Sequence, residues 1–443
     1  MIRATTDKHT APAPLNALSA NAAAAAIASG DTNSVTLVEA CLARIESKDA
    51  LVCAWAYLDA ELALGQARDA DAARGAGKPI GPLHGVPVGI KDIFDTADMP
   101  TECGSDLYRG RQPGQDAEAV SLLRRAGAII LGKTVTAELA LSAPGPTANP
   151  LDLRRTPGGS SSGSAAAVAD FMVPLTVGSQ TVGSVIRPAS FCGIVGFKPS
   201  FGAIPTGGMH ILAQPLDHVG MFARDLTDIS LMANVLMPAK SGAEDARDAA
   251  DSSSPPRIGV VRAPVWNEAS ADARSRFDAW MGDLGTHDRV DLGDAFHDAV
   301  ACQRLILDAN LAANLGAACE SRPEALRAIT RARVHSGLSI SASAVDRAMA
   351  KVEEQRARLR QVFQDYDVLL TLAAPGEAPL GLSSTGDAVF SAIWTLMGTP
   401  AVTLPMLEGE NGMPIGVQAI GATGADAKLL AVAAWIEQCR ANP

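Results

Sequence analysis

Aromatic side chains are scarce, at 4% of 443 residues, although 47% of the chain is hydrophobic. Its interior must therefore be packed from aliphatic side chains and alanine rather than from large rings. Basic charge is also in deficit: 37 Lys and Arg face 48 Asp and Glu, a net charge of −11. A nucleic-acid or anionic-membrane partner has no electrostatic support on those terms. No apolar run approaches the ~18 residues that a membrane span needs. The longest simple tract, NAAAAAIA at 21–28, reads as a helix face. The opening MIRATTDKHTAPAP lacks the apolar stretch of a signal peptide, and residues 1–15 read as a loose arm. Cys41, Cys53, Cys103, Cys192, Cys302, Cys319 and Cys439 lie far apart with no CxxC, and the 7 histidines show no HxxxH spacing. Neither zinc nor a disulfide framework is expected, and reduced thiols point to the cytoplasm.

What is present is alternation of helix-period and strand-like segments. SVTLVEACLARIESK (34–48) places Leu37, Cys41, Leu42 and Ile45 on one helix face behind a serine cap. GVPVGIK (85–91) is a short apolar strand ending in lysine, and AVSLLRRAGA followed by AIIL pairs a helix with a strand. Apolar runs resume at RIGVV and DVLLTLAAP after a polar stretch closed by two prolines. Alternation of this kind suits an α/β fold, a sheet with helices on both faces. Residues 16–443 then form a single domain, with an exposed loop at 237–256.

The most unusual stretch is TPGGSSSGSAAAVA at 156–169. Gly/Ser tracts are often linkers, but this one leads from Thr156-Pro157 into an alanine-rich helix and the apolar FMVPLTVG. A glycine-rich turn opening a helix presents N–H groups and hydroxyls to a ligand. Two formal motif matches fail on context. GAIILGKT (127–134) has the letters of a phosphate-binding loop, yet Ala-Ile-Ile-Leu make a strand where an open loop is required. GSSSG (159–163) has the letters of a nucleophile elbow at Ser161, yet NPLDLRRTPG is a poor strand to precede it.

Three stretches remain: GVPVGIKDIFDT, the serine loop, and GSQTVGSVIRPASFCG (178–193), where a buried strand turns into a helix past Ser184. Together with LVEACLARIE, GKTVTAELA, LDHVGMFARDLTD and GTPAVTLPM…GMPIGVQAIG, in this order, they resemble the amidase signature family of Ser–Ser–Lys hydrolases. The likeness runs from about residue 16 to the C-terminus and implies that family's fold, a single large mixed sheet surrounded by helices on both faces. It implies Lys91 as base, Ser160 as bridging serine behind a cis peptide bond, and Ser184 as nucleophile. Ser161 is implied as a supporting hydroxyl that helps hold the lysine, and the N–H groups of Thr181, Val182, Gly183 and Ser184 as oxyanion hole. A homodimer is common among such relatives, and no cofactor or metal is implied. Residues 257–360 match least and are expected to form a variable, substrate-side region.

The chemistry requires a neutral lysine, because a serine hydroxyl is a weak nucleophile until a base takes its proton. At an unperturbed value near 10.4 only about one lysine in 2,500 is neutral at pH 7, and burial can lower the value by about 3–5 units. Asp92 and Asp95 would oppose that, so they are expected to point away. Val182 stands where most relatives have glycine, and a β-branched residue there would be strained if φ were positive. Arg187, three residues past Ser184, could grip a carboxylate bidentately. SVIRP, PTECGSDLYRG, STGD and WTLMGTP resemble the malonamidases within the family. The expected reaction is cleavage of a small amide with a terminal carboxylate, malonamate-like, to acid and ammonia. The alternatives are the amidase component of a transamidation complex, an amidase for uncharged aliphatic or aryl amides, and a relative inactivated by Val182.

Overall fold

The computed structural model describes residues 14–237, 255–262, 264–285 and 287–441. Most of the expected arm (1–15) and of the expected loop (237–256) lies outside the described residues. The strands are β1 (Trp55–Leu58), β2 (Pro87–Lys91), β3 (Ile129–Thr134), β4 (Leu175–Gln180), β5 (Val195–Lys198), β6 (His218–Ala223), β7 (Ile258–Val261), β8 (Asp288–Val290), β9 (Val368–Leu372), β10 (Ala401–Glu408) and β11 (Pro414–Ile420). They form one 11-stranded sheet in the order β1-β3-β2-β4-β6-β5-β10-β11-β9-β7-β8.

The sheet is mixed, as the family resemblance implies. β2 runs parallel to both β3 and β4, and β7 parallel to β8 and β9, while the β4–β6–β5–β10–β11–β9 run is antiparallel. Every residue of β2, β3, β4, β5 and β6 is buried. Strands covered on both faces are expected to be near-continuously apolar, yet β2, β3 and β5 each carry a fully buried lysine, Lys91, Lys133 and Lys198.

The shortage of aromatics has a structural counterpart in the helix Ser162–Ala169. Seven of its eight residues are buried, and their small side chains let it lie directly on the strands. A Cβ at Gly163 would stand 2.1 Å from the Ala54 carbonyl oxygen and 2.4 Å from the Val135 nitrogen, so backbone contact demands glycine. The helix Ser34–Val52 buries Leu37, Cys41 and Ile45, but its cap is Asn33, whose side chain accepts from Thr36 N–H. Ser34 instead begins the first turn, because Asp71 takes its backbone N–H. The formal phosphate-loop match falls in β3, where Lys133 is buried against Asp92 at 3.1 Å. Residues 257–360 contribute β7 and β8 to the common sheet and otherwise form helices, among them Ala299–Ser321 and Ala328–Leu338.

Candidate active site

Register places the lysine. Ile90 pairs with Val177, so Lys91 ends β2 beside the Gly178–Ser179 end of β4. Its side chain is 0% exposed. Nζ donates to Ser160 Oγ at 2.8 Å and to Ser179 Oγ at 2.8 Å. Burial pulls the amine down to about 7, against the opposing influence of Asp217 and Cys103. Asp92 turns to Lys133 and to the Glu102 N–H, and Asp95 forms a bidentate pair with Arg111. Neither contacts Lys91, and the amine is left to neutral hydroxyls.

The Gly159–Ser160 peptide bond is cis. Ser161 makes no hydrogen bond to the lysine, whose partners are Ser160 and Ser179. Its hydroxyl donates to the Ser179 carbonyl at 3.2 Å and accepts from the Ser179 N–H at 3.3 Å. The second hydroxyl on Lys91 is thus Ser179, and Ser161 acts one step back by fixing the Ser179 backbone. Sequence reading missed Ser179 because only the β2–β4 register brings it to residue 91.

The turn after β4 carries Ser184, 7% exposed and lining a cavity of about 440 Å³. Four side chains hold this turn. Gln180 Oε1 accepts from the N–H groups of Val185 and Ile186 at 2.8 and 3.0 Å. Thr395 Oγ1 donates to the Val182 carbonyl at 2.6 Å, and Gln303 Nε2 to the Thr181 carbonyl at 3.2 Å. Thr181 Oγ1 donates to Asp217 Oδ1 at 2.6 Å. Asp217 also accepts from Leu212 and Ala213 N–H, and burial pushes its carboxyl up to about 6 against those bonds. The carbonyls of the turn point into the protein, and among the described residues none accepts from the N–H groups of Val182, Gly183 or Ser184. Neither Val182 nor Gly183 has a positive φ, so the β-branched side chain sits there without the anticipated strain and lines the cavity. Ser184 Oγ makes no hydrogen bond to Ser160 or to any other described residue; it faces the open cavity.

Arg187 lies on the helix Ile186–Cys192, 5% exposed, at the wall of the same cavity. Its guanidinium donates to Gly386 O at 3.0 Å, Gly159 O at 2.6 Å and Thr385 Oγ1 at 3.2 Å, and Nε has no partner. No carboxylate among the described residues pairs with it. Burial lowers its value to about 10, with Asp387 opposing, so it stays cationic at neutral pH. Arg187 is thus a buried cation held only by neutral oxygens, in the wall of the cavity that Ser184 also lines. Val300, Gln303, Leu307 and Ile329 from the 257–360 region line the cavity as well. Among the described residues no group of three His, Cys, Asp or Glu could hold a metal ion, and no helix is long and apolar enough to cross a membrane.

Comparison with known proteins identifies the family of the chain. A family model described as Amidase matches residues 36–430. The chain is 34% identical to the A subunit of the glutamyl-tRNA(Gln) amidotransferase of Acidothermus cellulolyticus, over 94% of its own length and 92% of the relative's. It is 33% identical to the protein of that name from Thermobifida fusca over 95% of both. Among solved structures, one described as a crystal structure of amidase superposes with a TM-score of 0.86 at 29% identity, covering 95% of this chain and 99% of the other. The A subunit of the Thermotoga maritima glutamyl-tRNA(Gln) amidotransferase superposes with a TM-score of 0.80 at 25% identity, covering 96% and 95%.

Proposed function

The chain belongs to the amidase family and is an amide-cleaving enzyme; from that premise we propose that it hydrolyses a small amide carrying a carboxylate, through an acyl-enzyme on Ser184. The observation that carries the reading is the buried Lys91 amine, hydrogen-bonded to Ser160 Oγ at 2.8 Å, in a chain whose Ser184 lines the cavity. Neutral Lys91 takes a proton through Ser160 while Ser184 attacks the carbonyl carbon. The link from Ser184 to Ser160, open at rest, closes as substrate seats the nucleophile. The oxyanion is held by backbone N–H groups of the 181–184 turn, at about 3–4 kcal/mol per donor. Nitrogen leaves with the proton returned by the relay, and water then frees the acid. Lys91, Ser160 and Ser184 are the catalytic residues of this scheme, Ser179 and Ser161 support the lysine, and Arg187 binds the carboxylate. A malonamate-like substrate is the simplest amide with that spacing. The proposed enzyme is cytoplasmic, a homodimer, and needs neither metal nor cofactor.

A second reading is favoured by the names of the relatives, which are amidotransferase subunits rather than malonamidases. The chain would then supply ammonia inside a transamidation complex. The two readings share a carboxylated amide at the site and differ in partners. Ammonia release by the isolated chain, without ATP or tRNA, is expected under the first reading and abolished in Ser184→Ala. Release only when a partner complex is reconstituted would establish the second.

A further inference from the structure

The cavity is too large for a three-carbon amide alone. At about 440 Å³ it falls within the ~300–1,000 Å³ range of sites that hold drug-sized ligands. Its surplus space has a distinct wall. Val300, Gln303, Arg304 and Leu307 recur at i, i+3, i+4 and i+7 on the helix Ala299–Ser321, one continuous stripe facing the cavity. Gln303 ties that stripe to the Thr181 carbonyl, and Asn314 of the same helix donates to the Leu212 carbonyl at 2.9 Å. The stripe therefore flanks the nucleophile turn on the Thr181 and Leu212 side, whereas Arg187 is anchored on the 385–386 side. The two arginines near the stripe do not make it an anion site, because both Arg304 and Arg333 face Asp308. What it offers is aliphatic: Val300, Leu307 and Leu212, with Ile329 half-exposed at the rim.

We propose that the enzyme cleaves secondary amides whose leaving amine carries an apolar group of about benzyl size, seated on the Val300–Leu307 stripe. The proposal rests on the carboxylated-amide reading above: with the acid end at Arg187 and the acyl carbon at Ser184, the amine end points to the stripe. An ammonia leaving group would leave that wall bare. The chemical step is unchanged. Ser184 oxygen bonds the acyl carbon, the C–N bond breaks, and the amine departs with the proton held on Lys91. Water then cleaves the ester to return the acid and the serine.

The test compares malonamate with N-benzylmalonamate on the full chain, with malonate release measured for both. The N-benzyl substrate is expected to have the higher kcat/KM by about tenfold or more, consistent with burial of a phenyl ring. Leu307→Trp, which fills the stripe, should shrink that preference at least about tenfold, and Val300→Trp serves the same purpose should the first variant not fold. Equal or faster cleavage of malonamate by the wild-type chain overturns the inference and leaves the proposed reaction standing, as does an unchanged preference in a folded stripe variant. Cleavage of neither compound overturns both.

Discussion

Lowering the pH should switch the enzyme off through one group, and the structure sets where. Lys91 is held down to about 7 chiefly by burial. The base acts only when neutral, so activity must rise with pH through that value and level off above it. At about pH 7 roughly half the molecules carry the neutral amine, and at about pH 5 roughly one in a hundred does. Each unit below the midpoint is then a tenfold loss, equivalent to ~1.36 kcal/mol. The assay is kcat/KM for ammonia release from about pH 5 to 10 at fixed ionic strength, since that ratio reports the free enzyme. Asp217 supplies a directional control. Its negative charge raises the Lys91 value, so in Asp217→Asn the midpoint should move to lower pH, whatever the loss in rate from a loosened Thr181. A limb of unit slope that continues past about pH 9 would mean an unperturbed lysine. A profile flat below about pH 6 would mean that no amine of this kind acts as the base.

Three further outcomes follow from the geometry. Arg187→Lys should lose about a hundredfold in kcat/KM on carboxylated amides, close to the loss in Arg187→Leu, because charge-assisted bonds of about 1.5–3 kcal/mol depend on the planar, forked guanidinium, which an ammonium on a shorter stem does not reproduce; activity within threefold of wild type would show that the guanidinium is dispensable. Thr395→Val removes the donor to the Val182 carbonyl and the acceptor for Gln180, and is expected to cut kcat about tenfold with little change in KM, measured by steady-state kinetics. Gly163→Ala forces a Cβ onto the Ala54 and Val135 backbone and should lower stability in urea by more than about 2 kcal/mol, whereas Gly282→Ala, with open space around it, should raise it by about 0.5–1.

The legible part of this molecule is the part fixed by local pattern. A lysine closing an apolar strand, a serine-rich turn before an alanine helix and a strand turning past Ser184 can all be read within a dozen residues each. The α/β alternation follows from the same short windows. What escapes is whatever depends on segments that meet only in the fold. Ser179 reaches Lys91 through the register of β2 and β4, and the adjacency of Ser161 to Ser160 in sequence misdirects attention to the wrong hydroxyl. Thr395, Gln303 and Asp217 hold the nucleophile turn from separations of 213, 122 and 36 residues. No periodicity encodes those partners. The strain anticipated at Val182 depended on a backbone angle, which Gln180, Thr395 and Gln303 set by holding the turn, not the residue itself.

The site also puts two cations to opposite uses by the same physical means. Lys91 and Arg187 are both buried, both surrounded by uncharged oxygens, and neither has a carboxylate in contact. Burial disfavours the charged form of each. An amine starts near 10.4 and a guanidinium above 12, so the same pressure brings Lys91 to about 7 but Arg187 only to about 10. In the proposed scheme one therefore surrenders its proton readily and serves as the base, while the other keeps its charge for the substrate's anion. Had either aspartate beside Lys91 turned inward, the amine would have stayed charged; had a carboxylate paired with Arg187, the receptor would already be filled. The orientation of Asp92 toward Lys133 and of Asp95 toward Arg111 thus matters to the proposed scheme as much as the hydroxyls do, since it keeps negative charge away from the one group that must be neutral.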